Sequence, residues 1–378
     1  MKPRIVVLHG HHTAAEPWPV SRLLADRFDF TFAVTDHRAG DEGKAAAVVR
    51  SRRGLLPRGR AFDLATLVPG DGYRGLADVV RGADIVHSVE VGPWYSGQAA
   101  ELRRELDFRL VMTVWETIPL LDAYRRRRAR AHRIATITHT DLFLPTSERS
   151  AMALRLEGVE ENRIQVCLPA VDTRTFAATA RRPVDSTDPL IVSPGRLVWE
   201  KGHQDVLRAT ALLHRGVITR PDGSHVAPRV LIVGAGPEED RLRHHAVELG
   251  IAHAVEFRRS VPNAEMADLF AGAACMVLAS LPVWHWEEQF GMVIAEAFAG
   301  GTPVVTTRSG AIPEVVGDSA LLVDAGDFPA LARALAEGPL ADPPKVPAVD
   351  PSLVERYSME AYAERLAAAY EHVLARPR

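Results

Sequence analysis

WHWEEQFGMVIAEAFAGGTPVVTTRSGAIPEVV, residues 284–316, reads as a loop, a helix, a glycine turn and a strand in direct succession. MVIAEAFA has good helical composition, so a helix is expected to start near Gly291. Gly300-Gly301-Thr302-Pro303 ends it, and the β-branched run TPVVTT (302–307) follows as a buried strand. Two carboxylates eight residues apart frame the helix start: Glu288 in the preceding loop and Glu296 one to two turns in. The amides of Gly291, Met292 and Val293 would point out of the helix start, where phosphate is favoured by free N–H groups and the helix dipole. Glu296 would then take a ribose diol, and Glu288 would accept from sugar hydroxyls. An isolated pair of glutamates is usually solvated helix surface. The tight loop–helix–turn–strand unit around this one argues for a site.

The same alternation runs outward in both directions. One series of short apolar runs comprises IVVL (5–8), DIVHS (84–88), RLVMTVW (109–115) and DLFLPTS (141–147). A second comprises LIVSPGRL (190–197), RVLIVGAG (229–236), VEFRRSV (255–261), CMVLAS (275–280) and TPVVTT. Strands alternating with helices imply parallel sheets flanked by helices, and each series reads as its own doubly wound unit. The polar stretch AATARRPVDSTDP (177–189) separates them, and PLADPPKVPAVDPS (339–352) is a second connector. From Met359 to Ala375, apolar residues recur at helical spacing (Tyr362, Leu366, Ala369, Tyr370, Val373). The expected organisation is therefore an α/β chain with Rossmann-like domains over 1–180 and 181–355, facing each other across a cleft. A helix over 356–378 returns to the first domain. Segments 37–44 and 219–229 read as exposed loops.

At 378 residues the chain is long enough for two domains, and 47% hydrophobic with 25% charged residues is an ordinary globular composition. A net charge of -3 lacks the basic excess of a nucleic-acid binder. The two cysteines, Cys167 and Cys275, sit in apolar runs, so neither a disulfide framework nor a metal site is expected. No signal-like start and no membrane-length apolar run is read, so a cytoplasmic location is expected. YRRRRARAHRIA (124–135) holds six arginines. It reads first as a solvated helix face, and otherwise as a peripheral membrane contact through Arg125–Arg133.

Three further segments bear chemistry. In SPGRLVWEKGHQDVLRAT (193–210) a strand ends at Gly195, a loop carries Arg196 and Lys201, and a helix starts near His203 or Gln204. Arg can grip two phosphate oxygens in a planar fork, while Lys supplies a point charge. VGAGPEEDRL (233–242) turns at Gly234 and Gly236 and places another helix start nearby. The loops HGHHTAAEPW (9–18) and SVEVGPWYSGQ (88–98) would meet a second substrate, through His11, His12 and Trp94.

SPGRLVWEKG, VGAGPEED and EQFGMVIAEAFAGGTPVVTTRSGAIPEVVGDSALLV together resemble the retaining GT-B glycosyltransferases of family four. DLFLPTSERSAMALRLEGVEENRIQVCLPAVDTRTF (141–176) extends the likeness, with Val171, Asp172 and Phe176 in the family's usual places. The Glu-x7-Glu and Gly-Arg-x4-Lys-Gly pair is the decisive part. The resemblance implies that Arg196 and Lys201 hold a donor diphosphate, Glu288 the donor sugar and Glu296 the ribose. Gly195, Gly234, Gly236, Phe290, Gly291, Met292 and Val293 would complete the donor site, with Gly10 approaching from the N-terminal loop. The chain departs from the family in two places. His9-Gly10-His11-His12 replaces paired glycines, and TVWETIP carries Trp115 and Glu116 where a sugar-contacting His is usual. Glu116 would take over a contact to donor or acceptor hydroxyls, with Trp115 beside the acceptor.

The implied reaction is transfer of a hexose from a nucleotide-diphosphate sugar to a hydroxyl of a glycan, lipid-linked or small-molecule acceptor, with retention. No Asp-x-Asp occurs, so no metal and no cofactor is expected. The chain would act as a monomer or homodimer without nucleic acid. The alternatives are a sugar-nucleotide epimerase of the same architecture and a non-catalytic sugar-nucleotide-binding partner protein.

Overall fold

The computed structural model describes residues 1–8, 19–35, 46–51, 73–121 and 127–377. The loops 9–18 and 37–44 lie outside these, and with them Gly10, His11 and His12. The chain divides into two compact units, Met1–Leu168 with Glu360–Arg378, and Pro169–Met359. The first boundary therefore precedes the polar stretch 177–189. The reason is packing: the short helix Thr173–Ala177 buries Phe176 against Phe270 of the second unit, ring centroids 5.9 Å apart. Arg182 continues the attachment, its amide donating to the Ala271 carbonyl at 2.8 Å.

The first unit is built on strands β1 Arg4–Leu8, β2 Asp29–Thr35, β3 Ala46–Ser51, β4 Tyr73–Arg74, β5 Ile85–Val89, β6 Arg109–Val114 and β7 Leu142–Pro145. Their order in the sheet is β4-β3-β2-β1-β5-β6-β7. All pair in parallel except the antiparallel β3 and β4. β1, β5, β6 and β7 are buried along almost their whole length, as in parallel sheets with both faces covered, and these are the strands the sequence displays. β2 is less conspicuous because Asp29, Thr31 and Thr35 interrupt its apolar residues.

The last helix, Met359–Ala375, buries Tyr362, Leu366, Ala369, Tyr370 and Val373, the stripe its spacing predicts. It is held in the first unit by Tyr370, whose hydroxyl is 2.6 Å from His87 Nδ1 and whose ring meets Phe28 edge-on at 5.3 Å. Arg27 adds ion pairs to Glu364 and Glu371 at 3.1 and 2.6 Å.

The second unit carries β8 Leu190–Pro194, β9 Arg229–Val233, β10 Val255–Arg258, β11 Cys275–Leu278, β12 Val304–Arg308 and β13 Leu321–Asp324. Their order is β10-β9-β8-β11-β12-β13, every pair parallel. Renumbered from β8, this is the 3-2-1-4-5-6 doubly wound order, which reverses between β8 and β11. In the first unit the corresponding reversal lies between β1 and β5. Ligands in such sheets bind outside the carboxyl ends of strands at these reversals. Cys167 and Cys275 are buried free thiols, and among the described residues no helix is long and apolar enough to cross a membrane.

The arginine-rich segment is only partly described. Arg125 and Arg126 lie outside the described residues, as does the Arg128 side chain. Arg127 and Arg130 on the helix Arg127–His139 are exposed. Arg133 instead turns inward and pairs with buried Glu157, so it is withdrawn from any membrane-facing role.

Candidate functional site

In the second unit the loops after β8 and β11 flank the reversal point, and they carry the charges that the sequence marks. β8 leads into Gly195–Gly202 and the helix His203–His214; β11 leads, after Ala279–Gly291, into the helix Met292–Ala299. Lys201 Nζ donates to Glu288 Oε2 at 2.6 Å, and Ser280 Oγ donates to the same oxygen at 2.6 Å. The two charged side chains keep only 14% and 7% of their surface exposed. Lys201 also stands 4.9 Å over the Trp286 ring.

Backbone contacts fix this geometry. Gly202 has φ 70°, and a Cβ there would lie 1.7 Å from the Ala279 carbonyl oxygen, so the Lys201 loop rests directly on the strand end beside it. The Leu281 amide donates to Glu200 O at 2.8 Å and ties the two loops again. Glu288 is clamped from the turn after β12: the Ala311 amide donates to its carbonyl at 2.8 Å, and its own amide donates to Ser309 Oγ at 3.4 Å. At Gly310, φ 54°, a Cβ would stand 2.0 Å from that Glu288 carbonyl oxygen.

Gly195 and the Gly234–Gly236 turn are zipped together, Gly195 N–H to Val233 O at 2.9 Å and Leu197 N–H to Ala235 O at 3.0 Å. Beneath the loop, buried His203 bridges Ser193 Oγ (2.9 Å from Nδ1) and the Arg196 carbonyl (3.3 Å from Nε2). Burial pulls its pKa down to about 4, so it is a neutral strut.

Arg196 points to solvent from the same loop. Glu296 is half-buried in the helix Met292–Ala299, and burial alone pushes its carboxyl up to about 7. Gly291 caps that helix in the left-handed region, and the amides of Met292 and Val293 have no intrahelical acceptor. Phe290 contributes only backbone here; its ring is buried edge-on against Tyr357, centroids 5.2 Å apart.

The structure thus assembles Gly195, Arg196, Lys201, Gly234, Gly236, Glu288, Gly291, Met292, Val293 and Glu296 within one unit. Lys201 enters this group already paired with Glu288, a contact the sequence does not display. Ser280, Ser309 and His203 were not marked as site residues, whereas Trp286, in WHWEE just before Glu288, reads equally as a packing or a sugar-stacking residue. The signal for Ser280 was available, since it is the first polar residue after the buried run of β11.

Glu116, Trp115 and Trp94 belong to the first unit. Glu116 follows β6, its Oε1 accepting from the Ile118 amide at 2.9 Å, and burial raises its pKa. Ser150 Oγ donates to the Trp115 carbonyl at 3.1 Å. Trp94 is partly buried. Its ring meets Tyr73 edge-on at 4.9 Å and lies against the unit's core. Among the described residues no group of three or more His, Cys, Asp or Glu is placed to hold a metal ion.

The profile of the family described as Glycosyl transferases group 1 matches residues 177–339. A D-inositol 3-phosphate glycosyltransferase of Corynebacterium urealyticum is 30% identical over 322 residues, covering 78% of this chain and 72% of that protein. A GDP-mannose-dependent alpha-(1-6)-phosphatidylinositol monomannoside mannosyltransferase of Mycolicibacterium smegmatis is 37% identical over 196 residues, 48% of each chain. Among solved structures, sucrose-phosphate synthase from Thermosynechococcus elongatus superposes with a TM-score of 0.71 at 19% identity, over 99% of this chain and 100% of that one. Anabaena HepE, in complex with UDP and glucose, gives 0.71 at 16% identity, over 98% and 100%. These neighbours share the GT-B fold, and the named relatives are transferases rather than epimerases. With a 30% identical relative matched over most of its length, the chain belongs to the glycosyl transferases group 1 family and is a glycosyltransferase.

Proposed function

We propose that the chain moves a hexose from a nucleoside-diphosphate sugar to a hydroxyl of a glycan, lipid-linked or small-molecule acceptor, with retention and without a metal ion. The observation that carries this is the Lys201–Glu288 contact between two loops at the β8/β11 reversal, beside the start of the helix Met292–Ala299. The diphosphate would lie against Arg196, Lys201 and the amides of Met292 and Val293. An ammonium has three donor hydrogens, so Lys201 can keep Glu288 and still reach a phosphate oxygen. Glu288, already oriented, is left with acceptor capacity for sugar hydroxyls, and Glu296 sits where a ribose diol would be held. As the sugar–oxygen bond breaks, negative charge grows on the diphosphate. The same cation and helix amides stabilise it more in the transition state than in the ground state. Glu116 would touch donor or acceptor hydroxyls from the first unit.

The test is turnover with a panel of UDP-, GDP-, ADP- and dTDP-hexoses against glycan, lipid-linked and inositol-phosphate acceptors, in the presence of chelator. Released nucleoside diphosphate and the anomeric configuration of the product are read together. Transfer with retention is expected. An inverted product, or transfer that chelator abolishes and a divalent cation restores, would refute the mechanism. Donor binding without transfer to any acceptor would favour a non-catalytic partner protein instead.

A further inference from the structure

Glu90 lies immediately after β5, at the carboxyl end of the strand where the first unit's sheet order reverses. Its backbone has φ 66°, in the left-handed region that a glutamate rarely occupies. Gly would fit that conformation without strain, so the side chain is retained there against a local cost. The carboxyl faces inward. Oε1 accepts from the Trp115 amide at 2.8 Å, which joins the ends of β5 and β6 just ahead of Glu116. Oε2 is buried without a hydrogen-bond partner among the described residues, as is Thr117 Oγ1 in the turn that follows. The charged groups facing Glu90 are Glu116 and Arg133, and Arg133 is itself paired with Glu157. With Arg133 committed, a second negative charge beside Glu116 is poorly compensated. Burial first, and the neighbouring Glu116 carboxylate among the further causes, push the Glu90 carboxyl up to about 7.

We propose that Glu90 is a positioning residue for the transfer reaction: in its uncharged form it anchors the Trp115–Thr117 turn and so sets where the Glu116 carboxylate stands. This rests on the reading of Glu116 as a group that meets substrate hydroxyls. Ionisation of Glu90 places like charge against Glu116 and pushes the turn out of register, so transfer declines as pH rises through neutrality. A glutamine at 90 preserves the acceptor for the Trp115 amide and carries no charge at any pH.

Transfer is measured from pH 5.5 to 8.5 for the wild type, Glu90→Gln, Glu90→Gly and Glu116→Gln, with unfolding temperature recorded for each. Glu90→Gln is expected to keep most of the activity and to lose the decline above neutrality. Glu90→Gly relieves the backbone and is expected to unfold no earlier than wild type, yet to lose about ten-fold in kcat from the missing amide anchor. Glu90→Gly with wild-type kcat and pH profile overturns the proposal, as does Glu90→Gln with the decline intact. Glu116→Gln at wild-type rate overturns the reading on which it rests. Impaired Glu116→Gln beside unimpaired Glu90→Gly overturns the positioning role alone.

Discussion

Replacing Lys201 by Met separates the structural from the functional meaning of the Lys201–Glu288 contact. Methionine keeps the length of the side chain and removes its charge. Glu288 then retains Ser280 Oγ but loses a 2.6 Å ion pair, in a position where 7% of its side chain is exposed. Removing one partner of a buried ion pair costs about 3–5 kcal/mol. Here the lower end applies, because the Ser280 hydroxyl remains. For a unit of this size about 3 kcal/mol lowers the unfolding temperature by roughly 6–12 °C. The double variant Lys201→Met/Glu288→Gln removes the orphaned charge and is expected to recover most of that loss. Calorimetric unfolding of the wild type, both single variants and the double variant gives the coupling directly. A Lys201→Met loss below about 1 kcal/mol, typical of an exposed pair, would refute the buried-pair argument. So would a double variant less stable than Lys201→Met. Nucleoside-diphosphate affinity, measured on the same proteins, should stay weak in the double variant although its stability returns.

Arg196→Ala removes an exposed cation with no side-chain bond among the described residues, so its unfolding should be unchanged. Nucleoside-diphosphate affinity should fall by about 10–100-fold by titration calorimetry, the worth of a charge-assisted hydrogen bond. Glu296 has a folded pKa of about 7 against an ordinary 4.5. The fold therefore favours its protonated form, and its contribution to stability is full below about 4.5 and lost as pH rises to 7. Glu296→Gln should flatten the pH dependence of unfolding in that window and stabilise the free protein at pH 8, by at most about 3 kcal/mol. Gly202→Ala puts a Cβ 1.7 Å from the Ala279 oxygen at φ 70°. The variant should lose donor binding together with at least about 2 kcal/mol of stability, as measured by denaturant unfolding.

The second unit was legible because its strands are covered on both faces. LIVSP, RVLIV and CMVL are near-continuous apolar runs, and a glycine or small polar residue (Gly195, Gly234, Ser280) follows each within two positions. β2 and β13 were missed for the opposite reason. DFTFAVT interleaves Asp29, Thr31 and Thr35 with its apolar residues, and LLVD is only partly buried because β13 sits at the sheet edge, where one side needs no partner. Spacing revealed Glu288 and Glu296, since both lie within one loop–helix segment. It could not reveal that Lys201, 87 positions away, closes on Glu288, because that contact depends on β8 and β11 being neighbours in the sheet. Glu90 was hidden similarly. Nothing in SVEVGPW marks a left-handed glutamate, and its meaning comes from the Trp115 amide on the adjacent strand.

The electrostatics of the resting site follow from these contacts. Two glutamates beside a diphosphate pocket would repel the donor if both were free and ionised. Glu288 is compensated by Lys201 and by a serine hydroxyl, and burial holds Glu296 partly protonated near neutrality. On the proposed reading, that would leave Arg196 and the open amides of the helix start as the field an approaching diphosphate meets. Compensation has a cost as well: a lysine closely paired to a carboxylate attracts phosphate less than a free one. The arrangement therefore exchanges affinity for preorganisation. On the proposed reading, Lys201 and Glu288 would hold each other in place before a donor arrives, so that neither would have to be ordered, or stripped of water, as charge develops on a leaving diphosphate.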